Sequence, residues 1–517
     1  MNTKKTTRRD ILKLGLAAGL SVPFAGGLRS FAASASLPEP TYSKLPVWRG
    51  FNLLEKFMVP WNNKPFSEDD FRWISDFGFN FVRLPMDYRT WIVDGDWRKF
   101  NEQTLKEIDQ AVAFGEKYGI HVKINFHRAP GYTVANPPEA KSVWTDSETQ
   151  DVCALHWTTF ANRYKGIPNR RLSFNLFNEP SNVPEKQYYD VHKMLIETIR
   201  AIDPDRLIIC DGMDWGSKPA MVLRDLKVAQ ASRGYAPSEI SHYGANWVDS
   251  ANFPTPSWPM RTINGLLPSP NKSETPADSR KPLEIVGPFS SQTKLRLKVA
   301  SVSAKTKLAV KADDTTIFEH QFDPGPGEGE WKTVVHKPQW NVYQNVYDKN
   351  YETIIPKGTK TVRIFAADGD WVSVSEIGLQ GENSQKELTV NATAGWGQNS
   401  SQLKYDDSKA TPTISGGETR DKSWLKRTMI DPWKEAQAAG IGVMIGEFGA
   451  HNQTPHDVTL AWLEDSLSNW NEAGWGFALW NFRGSFGIMD SDRKDVAYED
   501  FHGHKLDRKL LQLLQKH

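Results

Sequence analysis

Leu172-Ser173-Phe174-Asn175-Leu176-Phe177-Asn178-Glu179-Pro180 is an apolar run too short for a comfortable helix, and it ends on a carboxylate. Gly442-Val443-Met444-Ile445-Gly446-Glu447-Phe448-Gly449 repeats the arrangement late in the chain. Both read as buried strands with a glutamate at the C-terminal tip. In a parallel α/β barrel such tips carry the reactive groups, because the strand is rigid and its end opens to solvent. The two stretches therefore predict two carboxylates on one rim.

Working outward, strand-like runs occur at 47–53, 79–84, 121–126, 172–177, 206–210 and 240–243. Helical spacing fills the intervals at 68–77, 105–118, 150–164, 188–202 and 219–226. The alternation stops near residue 246 and resumes with a helix at 424–439, a strand at 442–446, a helix at 458–473, a strand at 476–482 and a helix at 506–515. Six strands before the interruption and two after it make the eight that a closed parallel barrel requires. The predicted fold class is α/β, a (β/α)8 TIM barrel with an all-β sandwich inserted after strand six. Within the interruption, residues 282–384 show short β-rich runs separated by turns such as Asp323-Pro324-Gly325-Pro326-Gly327, the pattern of a sandwich. The Ser/Thr/Pro-rich stretches 251–281 and 385–421 read as linkers. The barrel then comprises 36–250 and 422–517.

The chain has 63 basic and 62 acidic residues, so neither nucleic acid nor an anionic membrane is indicated as a partner. No apolar stretch reaches the roughly 20 residues of a membrane span. Thr7-Arg8-Arg9-Asp10-Ile11-Leu12-Lys13-Leu14 resembles a twin-arginine export signal, and Ala33-Ser34-Ala35 offers a cleavage site. Residues 1–35 are thus expected to be a leader, with the mature protein periplasmic or extracellular after folding in the reducing cytoplasm. Only two cysteines, Cys153 and Cys210, are present, which excludes a disulfide framework and a metal-binding spacing. A monomer without cofactor or metal is expected.

Two carboxylates from different strands are the minimum for breaking a glycosidic bond: one protonates the leaving oxygen and the other attacks the sugar carbon. The remaining tips extend the pattern. Strand two ends in Arg83-Leu84-Pro85, strand three in Asn125-Phe126-His127-Arg128, strand six in Ser241-His242-Tyr243 and strand eight in Trp480-Asn481-Phe482. The ordered set resembles glycoside hydrolase family 5, over about residues 45–250 and 420–515. The resemblance implies a retaining hydrolase of β-glucan-type glycosides, with Glu179 as acid/base and Glu447 as nucleophile. It further implies that Arg83 holds Glu447, Asn178 binds the sugar 2-OH, Trp480 forms the floor of the −1 site, and His127 and His242 order the site. Many family members carry a tyrosine two residues after the strand-six histidine. Here that position is Gly244, so Tyr243 is the candidate, although neighbouring strand residues face opposite ways. Glu55, at the mouth of strand one, is a candidate hydroxyl ligand.

Trp215, Trp247 and Trp258 are candidate sugar platforms on the barrel, and Trp331, Trp340, Tyr343, Tyr347 and Trp371 on the sandwich. The missing tyrosine and the insert leave open an exo-acting enzyme of unusual specificity, such as a furanosidase. A non-catalytic carbohydrate-binding protein would have lost one of these groups. An aldolase would need a strand-tip lysine or a phosphate-binding glycine loop, and neither is evident.

Overall fold

A computed structural model describes residues 37–517 apart from 62, 249, 251–252, 383 and 410; the expected leader lies outside the described residues. Eight parallel strands form one sheet: β1 (Arg49–Asn52), β2 (Phe81–Asp87), β3 (His121–Arg128), β4 (Leu172–Asn175), β5 (Ile209–Asp211), β6 (Ala229–Gly234), β7 (Val443–Phe448) and β8 (Phe477–Leu479). Their order is β4-β3-β2-β1-β8-β7-β6-β5. A parallel bridge between Phe174 and Ile208, with Phe174 N–H donating to the Leu207 carbonyl at 3.0 Å, closes the ring. The (β/α)8 barrel is therefore present.

Every residue of β2 and β3 is buried, as expected of strands covered by helices outside and by barrel side chains inside. Close strand contact dictates small residues at defined points. A Cβ on Gly50 of β1 would lie 1.7 Å from the Phe81 carbonyl oxygen. Some outer helices start and stop where the sequence provides caps. Glu102–Tyr118 is capped by the Asn101 side chain and ends at Gly119, whose φ is 67°.

The sixth strand is not 240–243. Ile240 lies in a short helix, Ser238–Ser241, and the strand is Ala229–Gly234. Its sequence, Ala229-Gln230-Ala231-Ser232-Arg233-Gly234, has almost no intrinsic β-propensity, and packing selects it instead. A Cβ on Gly234 would meet the Phe448 Cβ at 2.6 Å and the Trp470 ring at 2.7 Å. The strand count survived because the displaced segment is the next one along the chain.

Between β6 and the helix Asp431–Ala438 lie two further sheets. Thr293–Ser303, Val342–Ile355 and Trp371–Gly381 are central in one; Thr306–Ala312 and Thr361–Asp368 are central in the other. Alternation builds their shared core: Leu295, Leu297 and Val299 are buried while Lys294, Arg296 and Lys298 are half-exposed. The stretches read as linkers contribute to these sheets. Met260–Asn264 and Leu266–Pro268 lie in 251–281, and Leu388–Thr393, Gln402–Asp406, Thr413–Gly416 and Glu418–Arg420 lie in 385–421. Two of them, Thr413–Gly416 and Glu418–Arg420, are edge strands whose exposed side chains are mostly polar and so read like linker. The sandwich consequently runs from about 260 to 420.

Met260 pairs with Arg420 across antiparallel strands, so the chain enters and leaves the insert at adjacent positions. Excising 261–419 and joining the ends through a short Gly/Ser linker should leave a folded barrel with a single cooperative melt. Excising only 282–384 should give an aggregating protein, because it uncovers Ile263, Val390, Leu403 and Tyr405, all buried in the sandwich core. An unfolded product from the first deletion would contradict the modular reading.

Candidate active site

Glu447 sits near the end of β7, where pairing with both neighbouring strands slips after Ile445. This bulge aims the side chain inward. Gly446 makes room for what it meets: a Cβ there would be 2.8 Å from Arg233 Nη1 and 3.1 Å from the Ala231 Cβ. The Glu447 carboxylate accepts from Arg83 Nη1 and lies 3.1 Å from Arg233 Nη2. The Tyr235 hydroxyl donates to its other oxygen at 3.3 Å. Burial, and then Glu447 itself, push the Tyr235 hydroxyl well above its ordinary range, so it stays a donor.

Arg83, fully buried on β2, also donates to Asn52 Oδ1 at 3.0 Å, Asn175 Oδ1 at 3.2 Å and Asn178 Oδ1 at 2.8 Å. Arg233 donates to the same Asn178 oxygen at 3.0 Å. With that oxygen doubly held, the buried Asn178 Nδ2 is left without a partner and can donate to a bound molecule.

Glu179 follows β4 with φ of 51°, a left-handed conformation unusual for a residue with a side chain. Two contacts pin its peptide: its N–H donates to Asp211 Oδ2 at 2.9 Å, and its carbonyl accepts from the Tyr132 hydroxyl at 2.8 Å. Arg233 Nε donates to its carboxyl group at 2.8 Å. Burial, and then the negative charge of Glu447, nevertheless push Glu179 up to about 7.

Asp211, the last residue of β5, bonds Arg233 and accepts from Asn175 Nδ2 at 3.2 Å. Burial opposes its charge, but Arg233, Arg83 and Lys123 outweigh burial and hold it below the ordinary carboxylate range. Lys123, on β3 beneath the site, is pushed well below the ordinary lysine range by burial and then by Arg83. His127 is pushed down by burial and by the two arginines, so its imidazole is neutral, with Nδ1 unpartnered. Its ring lies 5.7 Å from that of the partly exposed Trp480, and both pack on Phe57.

The structure thus brings Glu179, Glu447, Arg83, Asn178, His127 and Trp480 together at one rim. Three other candidates fall elsewhere. His242 follows the short helix, not a strand; its Nδ1 pairs with the Ser241 hydroxyl, and its ring packs against Tyr235 at 5.0 Å. Tyr243 supplies its backbone carbonyl to His451 Nδ1 at 3.2 Å, and the tyrosine on Glu447 is Tyr235. Glu55 is buried and has no hydrogen bond or ion pair to the cluster among the described residues: burial and then Asp70 push it up to about 7, against the opposing charges of Lys64 and Arg483.

Tyr235, Arg233 and Asp211 escaped the sequence reading. The spacing Arg233-Gly234-Tyr235 was the available signal, a tyrosine two residues after an inward-facing residue, with arginine where a histidine was sought. Trp215 and Trp247 are about half-exposed near the rim, whereas Trp258 packs on the barrel and donates to Asp465. On the sandwich Tyr347 is buried, Trp331 packs on the core, Tyr343 and Trp371 are half-buried, and Trp340 is exposed. Cys153 and Cys210 are free, buried thiols. Among the described residues no group of His, Cys, Asp and Glu could hold a metal ion.

Residues 41–245 match the cellulase family, glycosyl hydrolase family 5. Over those residues, which carry the first six barrel strands, the chain is similar to family 5. Cellodextrinase A of Ruminococcus flavefaciens is 27% identical over 35% of this chain and 54% of its own length. Endoglucanase C of Acetivibrio thermocellus is 26% identical over 36% and 54%. The chain thus spans about half the length of these curated relatives. A solved structure described as a glycoside hydrolase shares 25% identity, covers 91% of this chain and 98% of its own, and superposes with a TM-score of 0.57.

Asp211→Asn leaves the buried Arg233 partly uncompensated and should cost on the order of 3–5 kcal/mol in urea unfolding at neutral pH. Because the folded state holds the Asp211 carboxyl low, its contribution is present above the unfolded value and is lost as pH falls through the folded one. The gap between variant and wild type should therefore narrow in acid. Tyr235→Phe should change stability by under about 1 kcal/mol; a cost matching that of Asp211→Asn would refute this ranking.

Proposed function

We propose that the protein is a retaining glycoside hydrolase acting on β-glucan-type substrates. The observation that carries this reading is the asymmetry of the two carboxyl groups. Glu179, at about 7, can hold a proton, while Glu447 faces three donors, Arg83, Arg233 and Tyr235. Glu179 gives its proton to the leaving oxygen as the glycosidic bond breaks and a Glu447 oxygen bonds the anomeric carbon. Water then yields a proton to Glu179, attacks that carbon and frees Glu447, so configuration is retained. In this reading the unpartnered Asn178 Nδ2 donates to the sugar 2-OH, and the partly exposed Trp480 serves as the floor. The cellodextrinase and endoglucanase relatives support a β-glucan substrate.

Glu179→Gln and Glu447→Gln should each lower turnover of an unactivated oligosaccharide by at least about 10²–10⁴-fold without unfolding the protein. Glu179→Gln should largely spare release of a good aryl leaving group, which needs little acid help. Wild-type kcat/KM should fall as pH rises through about 7, since the acid must be protonated. Wild-type-like turnover by either variant would overturn these assignments.

The Arg8-Arg9 pair supports export of the folded precursor to the periplasm or beyond. Replacing both with lysine should leave the precursor in the cytoplasm, as cell fractionation would show; unchanged export would remove this proposal.

A further inference from the structure

Arg233 stands where the family resemblance called for a histidine, and it bonds both carboxyl groups of the proposed reaction. Its Nε donates to Glu179 at 2.8 Å; its Nη2 lies 3.1 Å from Glu447 and bonds Asp211. Its side chain is almost wholly buried. Arg83 bonds Glu447 and Asn178, so among the described residues Arg233 is the one guanidinium hydrogen-bonded to Glu179 and ion-paired with Glu447. We propose that Arg233 carries the negative charge of the site from Glu447 to Glu179 during the reaction, acting as a positioning residue for the deglycosylation half. This rests on the retaining-hydrolase reading.

The argument is one of charge balance. Before reaction, Arg83 and Arg233 face the carboxylates Asp211 and Glu447, and protonated Glu179 adds nothing. When Glu447 bonds the anomeric carbon, its charge is lost, and Glu179, having given its proton to the departing oxygen, becomes the carboxylate. The cluster is neutral both times, but one negative charge has moved. A planar fork with several donors can serve either location without leaving its place. Water next transfers a proton to Glu179 as its oxygen displaces Glu447, and the charge returns.

The groups facing Glu179 leave this task to Arg233. From β2 comes Arg83, directed at Glu447. From β3 come Lys123 and His127, both pushed toward the neutral form by burial. From the loop after β3 comes Tyr132, whose hydroxyl bonds the Glu179 backbone. Asp211 on β5 and Glu447 on β7 are anionic, and Tyr235 donates to Glu447. Without Arg233, no cationic side chain among the described residues would touch Glu179 when it must act as a base.

The test uses the full mature chain with 2,4-dinitrophenyl β-cellobioside, which removes the need for acid help. Arg233→Gln should release a stoichiometric burst of dinitrophenol followed by a steady state slowed about 10²–10³-fold. Azide, a nucleophile that needs no base, should restore turnover. With a less activated aryl cellobioside, the alkaline limb of kcat/KM should move above the wild-type position, because the group that lowers Glu179 is gone. Arg233→Lys, which keeps the charge but not the fork, should show a smaller burst and about tenfold slowing. An unmoved limb, or a uniform loss with neither burst nor azide rescue, overturns the proposal. Should Arg233→Gln not fold, Arg233→Lys decides: wild-type turnover in that variant overturns it equally. Failure of the hydrolase reading would look different, since the wild type itself would then release no dinitrophenol.

Discussion

The constraint on which this site depends is the neutralisation of two buried guanidinium groups. Arg83 and Arg233 are almost wholly removed from water at the centre of the barrel's open end. A buried charge is tolerated only when it is paired and hydrogen-bonded. Asp211 and Glu447 provide the pairing, and Asn52, Asn175 and Asn178 occupy donors that remain. Space for Arg233 is provided in turn by Gly446 on β7, where a Cβ would lie 2.8 Å from its Nη1.

Packing explains which parts of the fold could be read from the sequence. β2, β3, β4 and β7 are rich in bulky apolar residues because they pack against helices, so their periodicity and their polar tips were visible. β6 was not, since its small residues carry no strand propensity of their own. Misplacing β6 led to His242 and Tyr243 in place of Arg233 and Tyr235. Asp211 was hidden differently: the strand was read one residue short, at Cys210, and a carboxylate beside a buried thiol carries no periodic signal. Glu55 shows the converse, a residue at a strand mouth whose side chain turns toward Asp70 and Arg483.

The insert was legible as a sandwich, yet its limits were not. Inner strands announce themselves by alternation, as in Thr293–Ser303, whereas edge strands such as Thr413–Gly416 expose polar side chains and resemble linker. What composition could not show is that the first and last strands pair with one another. That pairing gathers the crossing points of the chain at one place, just beyond β6. Arg420 in the last strand reaches back to Glu239 in the short helix after β6, at 3.0 Å. The insert is therefore anchored beside the segment that carries Arg233 and Tyr235.

Asp211 connects these electrostatics to geometry. The oxygen that bonds Arg233 also accepts the Glu179 backbone N–H, and Tyr132 fixes the carbonyl on the other side of that residue. The left-handed backbone at Glu179 is strained for a side-chain-bearing residue and persists because it is held at both ends. Its carboxyl group is thereby placed within reach of the guanidinium that also touches Glu447. One buried carboxylate thus sets the position of the acid and balances the charge that governs its proton. Those two properties cannot be altered separately by changing Asp211, whereas Arg233 can be changed with the Asp211–Glu179 backbone bond intact. Charge and placement become separable at that one residue, and its side chain is where the protonation chemistry of this site can be examined apart from its architecture.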